Sequence, residues 1–169
     1  MRMINLIICD DEKDIHENIK KSLDYVRDDL FNYAIIQDFY GTDDLKRFLR
    51  NYQQSDASDT VLLLDVLFNG RPDGLQALDN IRLHCPTMPI IILTACDDDR
   101  TFSFAKAKYN IEYVQKPVKS SDLRFRIESA IEKMKEPNIK DRISNLEKKV
   151  VEIADFVKND MLNLMKEKK

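Results

Sequence analysis

Several apolar segments of this chain end in a residue that can take part in chemistry. These residues are Asp10 and Asp11, Asp65, Thr94 and Lys116. A short apolar run bounded by polar residues is typical of a strand buried on both faces of a parallel sheet. The carboxyl ends of such strands meet at the edge where α/β sheets bind ligands. Asp65 alone is equally well explained as the start of a surface turn or a helix cap, but the recurrence of the pattern favours a site.

The chemistry expected at this edge is metal-assisted phosphoryl transfer. Carboxylates about 4 Å apart repel by about 4 kcal/mol at an effective dielectric near 20, so Asp10, Asp11 and Asp65 need a neutralising partner. Oxygen ligands in a shallow site suit Mg²⁺, which keeps several of its waters. A carboxylate can act as a nucleophile and form an aspartyl phosphate. The Thr94 hydroxyl and the Lys116 ammonium would then contact the other phosphoryl oxygens.

The spacing of apolar residues predicts five strands that alternate with five helices. The helices begin near Asp14, after Thr42 as an N-cap, near Leu75, at Asp97–Asp99 and after Ser120 or Ser121. This alternation predicts an α/β fold: a flavodoxin-like (βα)5 doubly wound parallel sheet of order 2-1-3-4-5, followed by a long C-terminal helix. In that order the first and third strands are neighbours. The predicted strands are Met3–Cys9, Tyr33–Phe39, Val61–Asp65, Pro89–Thr94 and Ile111–Gln115.

Composition narrows the class of protein. The chain has 169 residues, enough for one domain and an appendage, and its net charge of -3 argues against a dedicated nucleic-acid binder. No run approaches the ~18 apolar residues of a membrane span. Three widely spaced cysteines without a CxxC pair predict reduced thiols and a cytoplasmic location. We interpret the two histidines, His16 and His84, as surface or helix-packing residues.

From Met3 to Met134 the sequence resembles the receiver domain of two-component response regulators. The resemblance is carried by five features in order, each at or after a strand end. They are Asp10-Asp11, Asp65 after Leu-Leu-Leu, the Asp73-Gly74 turn, Thr94-Ala95 after Ile-Ile-Leu, and Lys116-Pro117.

The resemblance implies a role for each site residue. Asp65 would accept a phosphoryl group from a partner histidine kinase or phosphotransfer protein. Mg²⁺ would be held by Asp11, Asp65 and the backbone carbonyl of Leu67, with Asp10 helping through water. Lys116 would form an ion pair with the phosphoryl group, and its peptide bond to Pro117 would be cis. Thr94 would move toward the phosphoryl group, and Tyr113 would turn inward with it as the switch.

One departure from the family pattern and two flanking residues affect the expected chemistry of the site. The segment from Asp65 to Gly74 is one residue longer than usual and lacks the common Met-Pro, which leaves the geometry of this loop open. Leu67 and Cys96, each two residues beyond a site residue, cannot readily orient an attacking water. Slow autodephosphorylation is therefore expected.

The residues after Pro137 predict a second segment. We divide the chain into a receiver domain, 1–136, and an amphipathic helix, 137–169. With Ile143 at position a, the apolar seam has β-branched residues at three a positions, which favours a parallel dimeric coiled coil. A helical bundle, docking onto a partner and packing on its own domain are the alternatives. The seam consists of Ile139, Ile143, Leu146, Val150, Ile153, Val157, Asp160 and Leu164.

The sequence is compatible with three functions. The favoured one is a phospho-acceptor signalling module, not an enzyme, that switches dimerisation or partner binding in a phosphorelay. A degenerate receiver that serves as a dimeric interaction platform is the first alternative. A Mg²⁺-dependent phosphohydrolase is the second, and it is disfavoured because Leu67 stands where such enzymes place a general acid. The tail lacks histidine and a basic recognition helix, so it predicts neither a phosphotransfer domain nor direct DNA binding.

Overall fold

The computed structural model describes residues 2–24, 31–52, 60–95, 109, 111–135 and 150. By its contacts the chain divides into two compact units, Met1–Lys135 and Glu136–Lys169. The predicted helix between the fourth and fifth strands lies outside the described residues, except Tyr109. The heptad seam of the tail also lies outside them, except Val150.

The described part of the first unit is an alternation of strands and helices around one parallel sheet. The strand order is β2-β1-β3-β4-β5, and every neighbouring pair is parallel, so the predicted flavodoxin-like topology is confirmed. In the described ranges, no helix is both long and apolar enough to cross a bilayer. The elements are β1 Arg2–Cys9, α1 Lys13–Asp24, β2 Phe31–Phe39, α2 Thr42–Leu49, β3 Thr60–Asp65, α3 Asp73–His84, β4 Ile90–Thr94, β5 Glu112–Gln115 and α4 Ser120–Lys135.

The central strands are buried on both faces, as their uninterrupted apolar runs predict. Every residue of β3 and β4 is buried. Successive side chains point to opposite faces of a strand. Leu62 and Leu64 therefore join the core beneath α2 and α3, whereas Val61 and Leu63 join the core beneath α1 and α4. The strand that carries Asp65 is therefore packed between two hydrophobic cores, one on each face of the sheet.

The edge strand β2 contains an irregularity that bears on the site. Its register with β1 shifts between Leu6 and Ile7, and Ile36 is the extra residue. Such a bulge bends and twists an edge strand. Beyond it, the Phe39 carbonyl accepts a hydrogen bond from the Asp10 N–H at 3.0 Å. The end of β2 therefore holds the backbone of the acid pair.

Candidate functional site

The carboxylates of three aspartates converge where β1 and β3 end. One oxygen from each of Asp10, Asp11 and Asp65 lies within 4.8 Å of the others. Asp10 is fully buried, and Asp65 is only 4% exposed. The strand order causes this convergence, because it makes β1 and β3 neighbours with their carboxyl ends at one edge. The structure thus brings the predicted acids together.

The Asp65 carboxylate is fixed by a hydrogen bond, and its surroundings disfavour its negative charge. Its Oδ1 accepts a hydrogen bond from the Val66 N–H at 2.8 Å. Burial, together with the charge of Asp10, raises the pKa of Asp65 from 3.8 to about 6, although Lys116 and the backbone N–H groups of Val66 and Leu67 oppose the rise. A cation bound near Asp65 would favour its charged form and so oppose the effects of burial and of the Asp10 charge on its pKa.

The Lys116 ammonium is shared among three carboxylates. Its Nζ lies 2.8 Å from Asp10 Oδ2, 3.0 Å from Glu12 Oε1 and 3.4 Å from Asp65 Oδ2. Burial would lower the pKa of Lys116, but hydrogen bonds to Asp10 and Glu12 outweigh it and raise the pKa. The lysine therefore stays charged. Its single positive charge faces three carboxylates, and the Asp11 carboxylate adds a fourth negative charge to the pocket.

The ends of β4 and β5 bring Thr94 and Lys116 to the same place. The Lys116 N–H donates to the Thr94 carbonyl at 2.6 Å. Thr94 is buried at 3% exposure. The Lys116–Pro117 peptide bond is cis, as the resemblance implied. The predicted hydroxyl and ammonium therefore lie at adjoining strand ends beside Asp65.

The loop after Asp65 contains a tight turn. Phe68 and Arg71 exchange backbone hydrogen bonds of 2.9 and 3.0 Å, with positive φ angles of 49° at Asn69 and 75° at Gly70 between them. These angles define a type I′ turn, for which Asn-Gly is the preferred pair. The Asn69 N–H donates to Asp11 Oδ2 at 2.8 Å. The longer loop thus supplies a partner for the acid pair.

Gly74 allows α3 to start against the backbone of β3. A Cβ at this position would overlap the Asp65 carbonyl oxygen. The Gly74 N–H donates to the Val66 carbonyl at 3.2 Å. Glycine is therefore required at position 74, in the first turn of α3, because the backbone of β3 lies so close to it directly beneath the site.

These residues line an open pocket of about 290 Å³. A water occupies about 30 Å³ in the liquid, so the pocket has room for a phosphoryl group and a hydrated cation. Leu67 is 43% exposed at its edge. The lining residues are Asp11, Glu12, Asp65, Leu67, Asn69, Gly70, Thr94, Ala95 and Lys116.

Tyr113 lies outside the pocket lining, and the contacts of two other residues, Glu12 and His16, were not predicted. Tyr113 is half-buried against the core beneath α3, and the Arg126 guanidinium carbon lies 5.6 Å from the centre of its ring. Glu12 was not among the predicted site residues, although its place directly after the acid pair was a signal. His16 was predicted to be a surface or helix-packing residue; it is buried and contacts the Asp10 carbonyl at 2.9 Å. Cys96 lies outside the described residues.

The donor set fits a hard divalent cation. All three converging side chains offer carboxylate oxygens. Asp10 Oδ2 is buried, and the Lys116 ammonium that faces it at 2.8 Å is shared with Glu12 and Asp65. Oxygen-only ligands with an open side facing solvent match Mg²⁺ better than softer metals.

Comparison with known proteins identifies the class. The sequence model of the response regulator receiver domain matches residues 6–128, more than half of the chain. The chain therefore belongs to the response regulator receiver domain family, which is a family of signalling domains. Its fold and the order of its strands agree with this membership.

Individual relatives agree with the family assignment. An NtrX-like response regulator from Rickettsia bellii (strain RML369-C) is 28% identical over an alignment of 167 residues, which covers 97% of this chain and 32% of that protein. The chain thus spans about a third of that relative's length.

Two solved receiver structures are also similar. One is the signal receiver domain of a modulated diguanylate cyclase from Desulfovibrio desulfuricans G20, with 25% identity, a TM-score of 0.61, and coverage of 79% of this chain and 98% of that chain. The other is the isolated REC domain of RcsB from Salmonella enterica serovar Typhimurium, solved in the presence of the phosphomimetic BeF3⁻. It has 26% identity, a TM-score of 0.57, and coverage of 73% of this chain and 84% of that chain.

Proposed function

We propose that this domain accepts a phosphoryl group on Asp65 from a histidine kinase or phosphotransfer protein. The observation that carries the proposal is the position of Asp65, which is buried beside Asp10 and 3.4 Å from the Lys116 ammonium in an open pocket. A carboxylate in this setting is restrained in orientation yet reachable through the pocket. Family membership supports the same function.

The transfer is an in-line displacement at phosphorus. A carboxylate oxygen of Asp65 forms the new O–P bond while the P–N bond to the donor imidazole breaks, and the imidazole leaves with the electron pair of that bond. Lys116 would exchange a carboxylate contact for a phosphoryl oxygen. Glu12 is the partner that it can release at least cost, because Glu12 is the most exposed of its three partners, at 62%. The Thr94 hydroxyl would donate to another phosphoryl oxygen.

Mg²⁺ would be held by Asp11, Asp65 and the Leu67 backbone carbonyl, with Asp10 acting through water. When bound, it would offset the negative charge of the carboxylates and of the incoming phosphoryl group. The convergence of the carboxylates supports this ligand set.

Phosphorylation would alter the partners of the domain rather than drive turnover. Thr94 and Tyr113 would form the switch, shifting between two arrangements that both exist before phosphorylation. The output would be a change in homodimerisation through the C-terminal segment, or in the binding of another protein.

Intact-mass measurement tests the proposal. The full chain is incubated with acetyl phosphate and Mg²⁺, with light scattering alongside, and compared with Asp65→Asn. We expect one added phosphoryl group on the wild type and none on the variant. Asp79→Asn, at an exposed position on α3, is the control and should still be labelled. An unlabelled wild type would favour the interaction platform, and continuous release of phosphate would favour the phosphohydrolase.

A further inference from the structure

The imidazole of His16 touches the backbone of the acid pair from outside the pocket. His16 belongs to α1 and is 1% exposed, and its Nε2 lies 2.9 Å from the Asp10 carbonyl oxygen. A carbonyl oxygen only accepts hydrogen bonds, so Nε2 carries a proton and donates it. The peptide that joins Asp10 to Asp11 is therefore held by a buried side chain.

The ring of His16 is itself fixed by residues of α1 and of the segment around the end of β2. Its Nδ1 lies 3.0 Å from Asp38 Oδ1, and the Lys20 Nζ lies 2.7 Å from Asp38 Oδ2. Tyr40 stacks on the imidazole with 4.6 Å between ring centres. These contacts leave the ring little freedom, so the hydrogen bond to Asp10 has a fixed direction.

Three hydrogen bonds restrain Asp10, in addition to its ion pair with Lys116. Its N–H donates to the Phe39 carbonyl at 3.0 Å, its Oδ1 accepts from the Glu12 N–H at 2.9 Å, and its carbonyl accepts from His16. A peptide group is planar, so fixing the Asp10 carbonyl also fixes the N–H of Asp11. The direction in which the Asp11 side chain leaves the backbone is restricted as a result.

We propose that His16 is a positioning residue for the acid pair. Its hydrogen bond to the Asp10 carbonyl aims the Asp11 carboxylate at Asp65 and thereby sets the affinity of the site for a divalent cation. The inference rests on the proposed function, because it requires Mg²⁺ to bind at the acid pair. Removing a residue that orients a metal ligand typically weakens metal binding by about 10- to 100-fold.

A pair of substitutions at His16 separates positioning from simple packing. In His16→Gln the side-chain amide reaches the position of Nε2 and keeps the hydrogen bond to Asp10. In His16→Asn the amide lies near the position of Nδ1 and keeps only Asp38 as a partner. Both variants lose the ring and its stacking on Tyr40 and differ from each other by one methylene group, whose effect on packing is measured by urea unfolding.

The readout is Mg²⁺ affinity of the full chain by titration calorimetry with MgCl2 alone, beside urea unfolding of each variant. We expect His16→Asn to weaken Mg²⁺ binding about tenfold and His16→Gln to stay near the wild type. Equal affinity in both variants would overturn the proposal, whatever their stability. If His16→Asn does not fold, Asp38→Ala releases the ring instead, and weaker binding supports the proposal whereas unchanged binding overturns it. A wild type that does not bind Mg²⁺ would overturn the proposed function and this inference with it.

Discussion

At the scale of single residues, the site concentrates negative charge around Asp65. The pKa of Asp65 lies near 6 in the folded chain, above its usual 3.8, because of burial and the charge of Asp10. The folded state therefore binds this proton more tightly than the unfolded state. The contribution of Asp65 to the free energy of unfolding falls as the pH rises from about 4 to 6 and stays low above that range.

Asp65→Asn should consequently stabilise the fold above pH 6. A rise in pKa from 3.8 to about 6 corresponds to about 3 kcal/mol at 1.36 kcal/mol per pKa unit, and solvent in the open pocket screens part of it. Without divalent cations we therefore expect a gain on the order of 2 kcal/mol at pH 7.5 and a smaller gain at pH 4.5. Urea unfolding of both chains at the two pH values measures this difference. Saturating Mg²⁺ should narrow the gap at pH 7.5, because it stabilises only the wild type. An equal gain at both pH values would show that the charge of Asp65 is not its cause.

Leu67 should make the aspartyl phosphate long-lived. It is exposed at the edge of the pocket, where an apolar side chain cannot orient a water for attack on phosphorus. Leu67→Asn offers one hydrogen bond, worth about 1 kcal/mol, and should accelerate loss of the phosphoryl group about fivefold. Decay of the phosphorylated mass with time measures the rate, and Leu67→Met is the apolar control. Faster decay in the wild type than in Leu67→Asn would refute this role.

At the scale of elements, the junction between β3 and α3 depends on Gly74. Alanine favours a helix over glycine by up to about 1 kcal/mol, but here its Cβ would overlap the Asp65 carbonyl oxygen. Overpacking of this kind typically costs about 1–3 kcal/mol, so Gly74→Ala should lower the free energy of unfolding. Gly41→Ala is the matched control, since nothing lies within 4 Å of a Cβ there. Equal urea midpoints for the two variants would contradict the close approach.

Most elements were predictable because their apolar patterns are strong, but their junctions were less so. The second helix was expected to follow Thr42 as its cap; instead it begins at Thr42, with Gly41 as the cap residue, and the Thr42 side chain is buried. The Asn69-Gly70 turn was predictable from its residue pair, because few other pairs tolerate two positive φ angles. The bulge at Ile36 left no signal, because it depends on how two strands pair.

At the candidate site, too, residues marked by a local sequence pattern were predictable, whereas contacts between distant segments of the chain were not. The acids, Thr94 and Lys116 were predictable because each stands at the end of an apolar run. The role of His16 was not, because it depends on the packing of α1 against the end of β2. A lone histidine in a helix carries no pattern of its own.

At the scale of the whole molecule, strand order determines which residues come together at the site. Dimerisation of the chain is a prediction from its sequence. The heptad seam predicts a parallel dimer through the C-terminal segment. Leu146→Asp places a charge at a d position and should yield a monomer by light scattering, whereas Lys148→Asp, at the outward f position, should leave the dimer intact. A monomeric wild type, or dimers of both variants, would contradict the coiled coil.

The central claim is that Asp65 itself carries the phosphoryl group. Borohydride reduces an acyl phosphate to an alcohol, so a phosphorylated aspartate becomes homoserine while a free aspartate does not react. The full chain would be phosphorylated with acetyl phosphate and Mg²⁺, reduced, digested and mapped by peptide mass spectrometry. We predict homoserine at position 65 alone, and none in chain that was not phosphorylated. Homoserine at position 10 or 11, or its absence everywhere from a chain whose intact mass had gained a phosphoryl group, would contradict the account.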